Sequence, residues 1–194
     1  MRVPRAWVTA HELCRIVRTL QAPRLTLLPQ LATHADEMFV VLSDHQMYLH
    51  ENQPPQSIEW LRQRFARLET RASADGKEQW LNWVIRVPGG ALIGYVQATL
   101  DGKGRAAIAY ELNSAFWGQG LAHRAVATMI EELAGHYRVR LLSAVLKRSN
   151  QRSQRLLERL GFIPASPAQQ TGQSIEPDEM LMLRALSISD PAPG

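Results

Sequence analysis

Residues 117–122 read Trp-Gly-Gln-Gly-Leu-Ala, and this short stretch carries most of the information about the fold. It directly follows a predicted strand and opens a segment with the apolar spacing of an amphipathic helix. Gly118 and Gly120 allow the backbone to adopt positive φ angles and to approach a ligand closely. The first N–H groups of the helix then point at one place, beside the positive end of the helix dipole. The sequence therefore predicts a turn that binds a phosphate or pyrophosphate group through main-chain donors.

Two common phosphate-binding motifs are excluded at this turn. A dinucleotide-binding fingerprint needs a third glycine, but position 123 is His. A P-loop needs Gly-Lys followed by Ser or Thr, which the segment lacks. The alternative interpretation is an ordinary glycine-rich connection between a strand and a helix.

A second informative stretch, residues 150–162, reads Asn-Gln-Arg-Ser-Gln-Arg-Leu-Leu-Glu-Arg-Leu-Gly-Phe. Together with the turn it resembles the GCN5-related N-acetyltransferase (GNAT) superfamily, in the branch of ribosomal-protein N-terminal acetyltransferases and their small-molecule-modifying relatives. The signature turn of that family, Arg/Gln-x-x-Gly-x-Gly/Ala, matches residues 117–122 with Trp117 at the first position. The family's Asn-x-x-Ser pattern and Leu-Gly-Phe ending match Asn150, Ser153 and residues 160–162. In element order the resemblance covers residues 23–187.

Hydrophobic periodicity predicts the order of the elements. Strands are expected at 24–28, 80–87, 91–100, 106–112, 140–146 and 180–186. Helices are expected at 32–43, 58–68, 121–133 and 150–160. Ser57 can cap the second, and the fourth begins at Asn150, a residue type that commonly caps helices. This order is α+β (mixed α/β) around one sheet. The resemblance implies the GNAT fold, with a central, mostly antiparallel sheet of six to seven strands flanked by about four helices.

The domain prediction is an N-terminal extension at 1–22, one domain at 23–187 and a tail at 188–194. The capping-box spacing of Thr9 and Glu12 precedes apolar residues at helical intervals, which favours one short amphipathic helix in the extension. Residues 1–24 hold five arginines and one acid, whereas the rest of the chain has equal numbers of basic and acidic residues. The basic character therefore belongs to the extension.

The composition narrows the class of protein. The chain has 194 residues, of which 45% are hydrophobic, and its single cysteine is Cys14. This excludes wholesale disorder, a disulfide framework and a thiolate-ligated metal site. No apolar run approaches the roughly 18–20 residues of a membrane helix, so we expect no membrane partner. The balanced charge beyond residue 24 argues against a nucleic-acid partner. We expect a cytoplasmic monomer or homodimer. The run of basic residues at 138–159 indicates either a solvated helix face or a pocket for a polyanionic ligand.

The resemblance implies transfer of an acetyl group from acetyl-CoA to an amine by direct attack, without a metal. The cofactor-binding residues that it implies are Leu112, Gly118, Gln119, Gly120, Leu121, Ala122, Asn150 and Ser153. The backbone N–H of Leu112 would stabilise the thioester oxygen. Ser153 would protonate the departing thiolate, because the tyrosine that many relatives use for this step falls at Leu157. The alternatives are that Asn150 is a plain helix cap and Ser153 a surface serine.

The catalytic base is expected on the strand before the turn. Many relatives carry a glutamate there, but the matching position in this chain is Ala107. Glu111 lies four residues later, on the same face of the strand, and is the candidate base. A solvent-facing carboxylate is the alternative interpretation of Glu111.

The sequence leaves the acceptor open between a protein N-terminus and a small amine such as an amino acid, a polyamine or an aminoglycoside. Its pocket is expected from residues 34–72 and from the loop predicted at 164–177, which contain no recognisable motif. A hypothesis of another class is an acyl-CoA-binding sensor or scaffold without turnover, because the usual glutamate and tyrosine positions are changed. Release of free CoA thiol with a panel of amines separates these classes.

Overall fold

In a computed structural model, which describes residues 17–50, 53–171 and 174–187, an eight-stranded sheet forms the centre of the fold. The strands are β1 (Leu20–Ala22), β2 (Leu25–Pro29), β3 (Gln79–Arg86), β4 (Leu92–Leu100), β5 (Arg105–Leu112), β6 (Leu141–Lys147), β7 (Ile163–Pro164) and β8 (Glu179–Ala185). They lie in the order β1-β2-β3-β4-β5-β6-β8-β7. Neighbouring strands are antiparallel, except that β5 and β6 are parallel.

Helices cover both faces of the sheet. In the described part of the chain the α-helices are α1 (Ala35–Leu42), α2 (Ile58–Glu69), α3 (Leu121–Gly135), α4 (Gln151–Arg159) and the single turn α5 (Pro167–Gln170). Helices α1 and α2 pack on one face with Val84, whereas α3 and α4 contribute to the larger core on the other face with Trp83. Adjacent strand residues point to opposite faces, so these two β3 side chains separate the two cores.

The parallel pair β5–β6 is short, and this shapes the middle of the sheet. Arg105–Ala107 pair with Leu141–Ser143, but both strands continue well beyond this region. Residues 108–112 of β5 remain paired with β4, and residues 144–147 of β6 remain paired with β8. The two strands therefore diverge and leave a wedge-shaped gap at the carboxyl end of β5.

The predicted fold class is confirmed, and the sheet has eight strands rather than six to seven. The additional strands are β1 and β7, which have three and two residues. The region predicted as a loop at 164–177 contains the short helix α5. The start of the predicted helix at 32–43 is a 3-10 turn, Ala32–His34, and α1 follows it.

The last residues of the predicted extension, 17–22, pack against the predicted domain. Val17 belongs to the larger core with 8% of its surface exposed, and Leu20–Ala22 pair with β2. The guanidinium of Arg18 donates from Nε and Nη2 to the two carboxylate oxygens of Glu132 at 3.0 and 2.6 Å. Residues 17–22 are therefore part of the folded body. The rest of the extension and the tail at 188–194 lie outside the described residues.

Candidate active site

A cleft of about 550 Å³ opens where β5 and β6 diverge. It is lined by residues 108–112 of β5, by residues 144–146 of β6 and by side chains from both helical layers. Five predicted site residues line it: Glu111, Leu112, Ala122, Asn150 and Ser153. Gly118, Gln119 and Gly120 are exposed just outside the lining, and Leu121 is buried in the core. The structure thus brings the two sequence motifs to one gap in the sheet.

The glycine turn has the backbone conformation that the sequence predicts. Gly118 and Gly120 have φ angles of +74° and +73°, and Gly120 is the residue that precedes the first turn of α3. A Cβ atom at either position would meet nothing within 4 Å, so the conformation rather than the available space calls for glycine. The first turn of α3 contains no acidic residue, and its N–H groups lie at the positive end of the helix dipole. The turn is therefore suited to an anionic group.

A cation lies beside this turn. The guanidinium carbon of Arg152 on α4 lies 3.6 Å from the centre of the Trp117 ring. The Trp117 indole in turn donates from Nε1 to the backbone oxygen of Leu112 at 2.8 Å. Sequence reasoning did not single out this contact, although the basic run at 138–159 contains Arg152. The ring stack connects α4, the turn and the end of β5, and it adds positive charge to the cleft.

The backbone of Leu112 faces the gap. Leu112 is opposite Gly94 on β4, but the ladder bond beside this pair joins Asn113 N to Ile93 O. In an antiparallel ladder this pattern turns the N–H and C=O groups of Leu112 away from β4. The bond from Trp117 to Leu112 O lies on that side. The N–H of Leu112 consequently points into the gap that β6 has left.

Ser153 lies in the first turn of α4, and its hydroxyl has a partner that sequence reasoning missed. The Ser153 Oγ atom lies 2.7 Å from the hydroxyl of Tyr110, which comes from β5. The Tyr110 hydroxyl also donates to the backbone oxygen of Ser153 at 3.3 Å. Leu157, the position of the usual family tyrosine, is buried with 1% of its surface exposed. A tyrosine from the opposite wall of the cleft therefore lies against the serine.

Asn150 acts as a helix cap. Its side-chain oxygen accepts a hydrogen bond from the backbone N–H of Ser153 at 3.1 Å. This bond satisfies one of the first N–H groups of α4 and fixes the start of the helix. Asn150 also lines the cleft, so it positions Ser153 and remains in reach of a ligand.

Glu111 occupies the other face of the sheet from Tyr110. Its cross-strand neighbour on β4 is Tyr95, and the two side chains are hydrogen-bonded. Burial raises the pKa of Tyr95, and the negative charge of Glu111 raises it further. Burial and the same charge raise the pKa of Tyr48. Both phenols therefore stay protonated, and Tyr95 donates to the carboxylate, which is partly buried in the cleft.

The described part of the chain contains neither a cluster of metal-ligating side chains nor a membrane-spanning helix. No group of three or more His, Cys, Asp or Glu side chains there could hold a metal ion. No described helix combines the length and the apolar character needed to cross a bilayer.

Solved structures of acetyltransferases share this architecture. RimL, a ribosomal L7/L12 alpha-N-protein acetyltransferase in complex with coenzyme A, superposes with a TM-score of 0.75 at 16% identity, over 89% of this chain and 100% of that one. RimJ of Mycobacterium smegmatis, in complex with a CoA disulfide, gives 0.71 at 18% identity, over 87% and 88%. MccE, the microcin C7 self-immunity acetyltransferase in complex with acetyl-CoA and AMP, gives 0.67 at 17% identity, over 85% and 94%. At these identities the likeness shows the fold.

A family model, and not a similar curated protein, identifies the family of the chain. No curated protein matches the chain in a sequence search. The family model described as "Acetyltransferase (GNAT) domain" matches residues 24–163, which include the glycine turn and the stretch from Asn150 to Phe162. This confirms the resemblance carried by those two motifs. The chain belongs to the GNAT acetyltransferase family.

Proposed function

We propose that the protein is an N-acetyltransferase that transfers the acetyl group of acetyl-CoA to a primary amine. The observation that carries the proposal is the gap between β5 and β6, where the start of α3, the Leu112 N–H and the Ser153 hydroxyl lie around one cleft. The neighbouring structures that hold CoA or acetyl-CoA support the choice of cosubstrate.

The residues present fit acetyl-CoA. Main-chain donors at a helix N-terminus suit a pyrophosphate, and here they come from Gly118, Gln119, Gly120, Leu121 and Ala122. The Arg152 guanidinium beside Trp117 adds a positive charge. The apolar strand residues at the gap suit the uncharged pantetheine arm, and the Asn150 amide adds a polar contact.

When it is bound, acetyl-CoA supplies a thioester that a neutral amine can attack. The Leu112 N–H donates to the thioester oxygen as negative charge develops on it. Ser153 gives the proton of its hydroxyl to the departing sulfur and recovers a proton from solvent water, and Tyr110 holds that hydroxyl in place. Glu111 takes the proton of the attacking amine from the other side of the sheet, directly or through water.

Turnover distinguishes this function from an acyl-CoA sensor. We expect acetyl-CoA to bind in isothermal titration calorimetry and to release free CoA thiol when an amine from a panel of peptides and small amines is added. Acetylation of the amine is checked by mass spectrometry. Tight binding without thiol release for any amine would contradict the enzyme proposal and favour the sensor.

A further inference from the structure

Three amide side chains lie side by side on the face of the sheet that α1 and α2 cover. We call Gln30, Asn82 and Gln97 the amide row. The backbone N–H of Gln30 donates to Asn82 O at 2.9 Å, directly beyond the last paired residues of β2 and β3. Asn82 is opposite Gln97, and Gln97 is opposite Ala109 of β5. Directly opposite residues share a face, so the row crosses the sheet toward the cleft.

The row contains buried donors that have no protein partner. Gln30 and Asn82 each have 3% of their surface exposed, and Gln30 Nε2 and Asn82 Nδ2 have no hydrogen-bond acceptor among the described residues. The Arg71 guanidinium donates from Nη2 to Gln30 O, whereas its buried Nη1 has no acceptor there. Buried polar groups are nearly always hydrogen-bonded. Orphaned donors on Gln30 and on its two hydrogen-bond partners, Asn82 and Arg71, therefore indicate a missing acceptor.

The charge at this place is positive. No carboxylate of the described residues lies within ion-pair distance of Arg71. Glu69 is the acidic group whose field acts on Arg71, and its carboxylate accepts from the backbone N–H of Ala32. Two amide N–H groups and a guanidinium N–H group that lack hydrogen-bond acceptors complement an anionic oxygen group.

Two members of the amide row line the candidate active site, whereas Asn82 and Arg71 lie outside its lining. Gln30 and Gln97 line the same cleft as Glu111, and Ala109, which is opposite Gln97, lies between Gln97 and Glu111 on this face. Asn82 is two strands and two residues away from Glu111, which corresponds to roughly 12 Å at standard sheet spacings. Gln30 and Asn82 are almost fully buried, so a ligand group that reaches them must be the end of the molecule and not part of a longer chain.

We propose that the amide row and Arg71 bind a terminal carboxylate of the acceptor, which makes the acceptor a small amino carboxylate whose amine and carboxylate span roughly the 12 Å between the two places. The proposal rests on the proposed function, since it places the amine beside Glu111. Trapped water is the competing occupant, because a buried water also satisfies orphaned donors.

The test compares amines that differ only in the carboxylate. CoA thiol release is measured for ω-amino carboxylates of increasing chain length and for n-alkylamines of the same lengths. We expect kcat/KM to be at least about tenfold higher for the carboxylates, with an optimum near the length that spans the cleft. Equal values for both series, or a better substrate among longer peptides that lack a terminal carboxylate in reach, would overturn the proposal.

Gln30→Glu puts a carboxylate of nearly the same shape into the row. The new carboxylate supplies an acceptor to the orphaned donors and repels a carboxylate ligand. The ratio of kcat/KM for the ω-amino carboxylate to kcat/KM for the matched alkylamine should therefore fall toward one, while the melting temperature does not fall. Gln63→Glu, the same change on the exposed surface of α2, is the control and should keep the preference. Asn82→Leu gives a second variant that removes a donor without adding charge. An unchanged preference in Gln30→Glu and Asn82→Leu would show that the row holds only water.

A binding arm separates failure of this inference from failure of the proposed function. Calorimetry titrates the best-sized ω-amino carboxylate and its matched alkylamine into the protein saturated with CoA. If no amine is acetylated but the carboxylate binds at least about tenfold more tightly and Gln30→Glu abolishes the difference, the subsite stands and the enzyme proposal fails. If amines are acetylated but the two ligands bind equally, the subsite fails and the enzyme proposal stands.

Discussion

The hydrogen bond between Ser153 and Tyr110 gives a quantitative expectation for catalysis. A neutral hydrogen bond is worth about 0.5–1.5 kcal/mol, and the 2.7 Å contact between the two hydroxyls is at the usual O–H···O distance. A thiol with a pKa near 8.5 is a tolerable leaving group without help. We therefore expect Ser153→Ala to lower kcat by about tenfold, below the usual range of general acid catalysis. The KM for acetyl-CoA should change little, because the proton transfer develops only as the C–S bond breaks.

Tyr110 should act through the serine. Tyr110→Phe removes the partner of the Ser153 hydroxyl and should lower kcat by about threefold to tenfold. In the double variant the loss of kcat should equal that of Ser153→Ala alone, because the Tyr110 hydroxyl acts only by holding the Ser153 hydroxyl. The assay is steady-state release of CoA thiol at a saturating acceptor concentration. Multiplied losses in the double variant, or a wild-type kcat for Ser153→Ala, would refute this reasoning.

Three other perturbations test the base, the turn and the first strand. Glu111→Gln should abolish the acidic limb of the pH profile of kcat/KM, and an unchanged profile would remove Glu111 from the mechanism. Gly120→Ala places a side chain at a φ of +73°, a strain of about 1–2 kcal/mol, and calorimetry should show much weaker acetyl-CoA binding than for Gln119→Ala. Equal affinities of these two variants would show that the turn is not the site. Arg18→Met leaves the Glu132 carboxylate, whose side chain is 7% exposed, without its partner and should lower Tm by about 3–8 °C. Adding Glu132→Leu should restore part of that loss, and a Tm within about 1 °C of wild type for Arg18→Met alone would show that the pair contributes nothing.

The family and the order of the main elements could be predicted because their signals are local. The two glycines at 118 and 120, the helix cap at Asn150 and the apolar spacing of α3 each depend on neighbouring residues only. Strand β1 was missed because Val17 and Leu20 also fit a helical period. The turn that follows β1 places Arg24 at a φ of +67°, where glycine or asparagine is the usual signal.

The contacts that define the candidate site are not local, and the sequence alone could not supply them. Tyr110 and Ser153 are 43 residues apart and meet only because β5 and α4 form opposite walls of the cleft. The amide row depends on the register of β2, β3 and β4, and a shift of one residue would turn its side chains to the other face. Arg152 lay within a recognised basic run, but its stacking on Trp117 depends on how α4 lies against the turn.

The two shortest strands also determine how the sheet meets other chains. The sheet ends in β1 with three residues on one side and in β7 with two residues on the other. Pro164 in β7 has no N–H to offer a further strand, although Ile163 beside it is 66% exposed. Edge strands this short give an incoming strand few backbone groups to pair with, and the proline in β7 removes one more. The short terminal strands thus disfavour edge-to-edge polymerisation of a sheet whose interior strands are long and apolar.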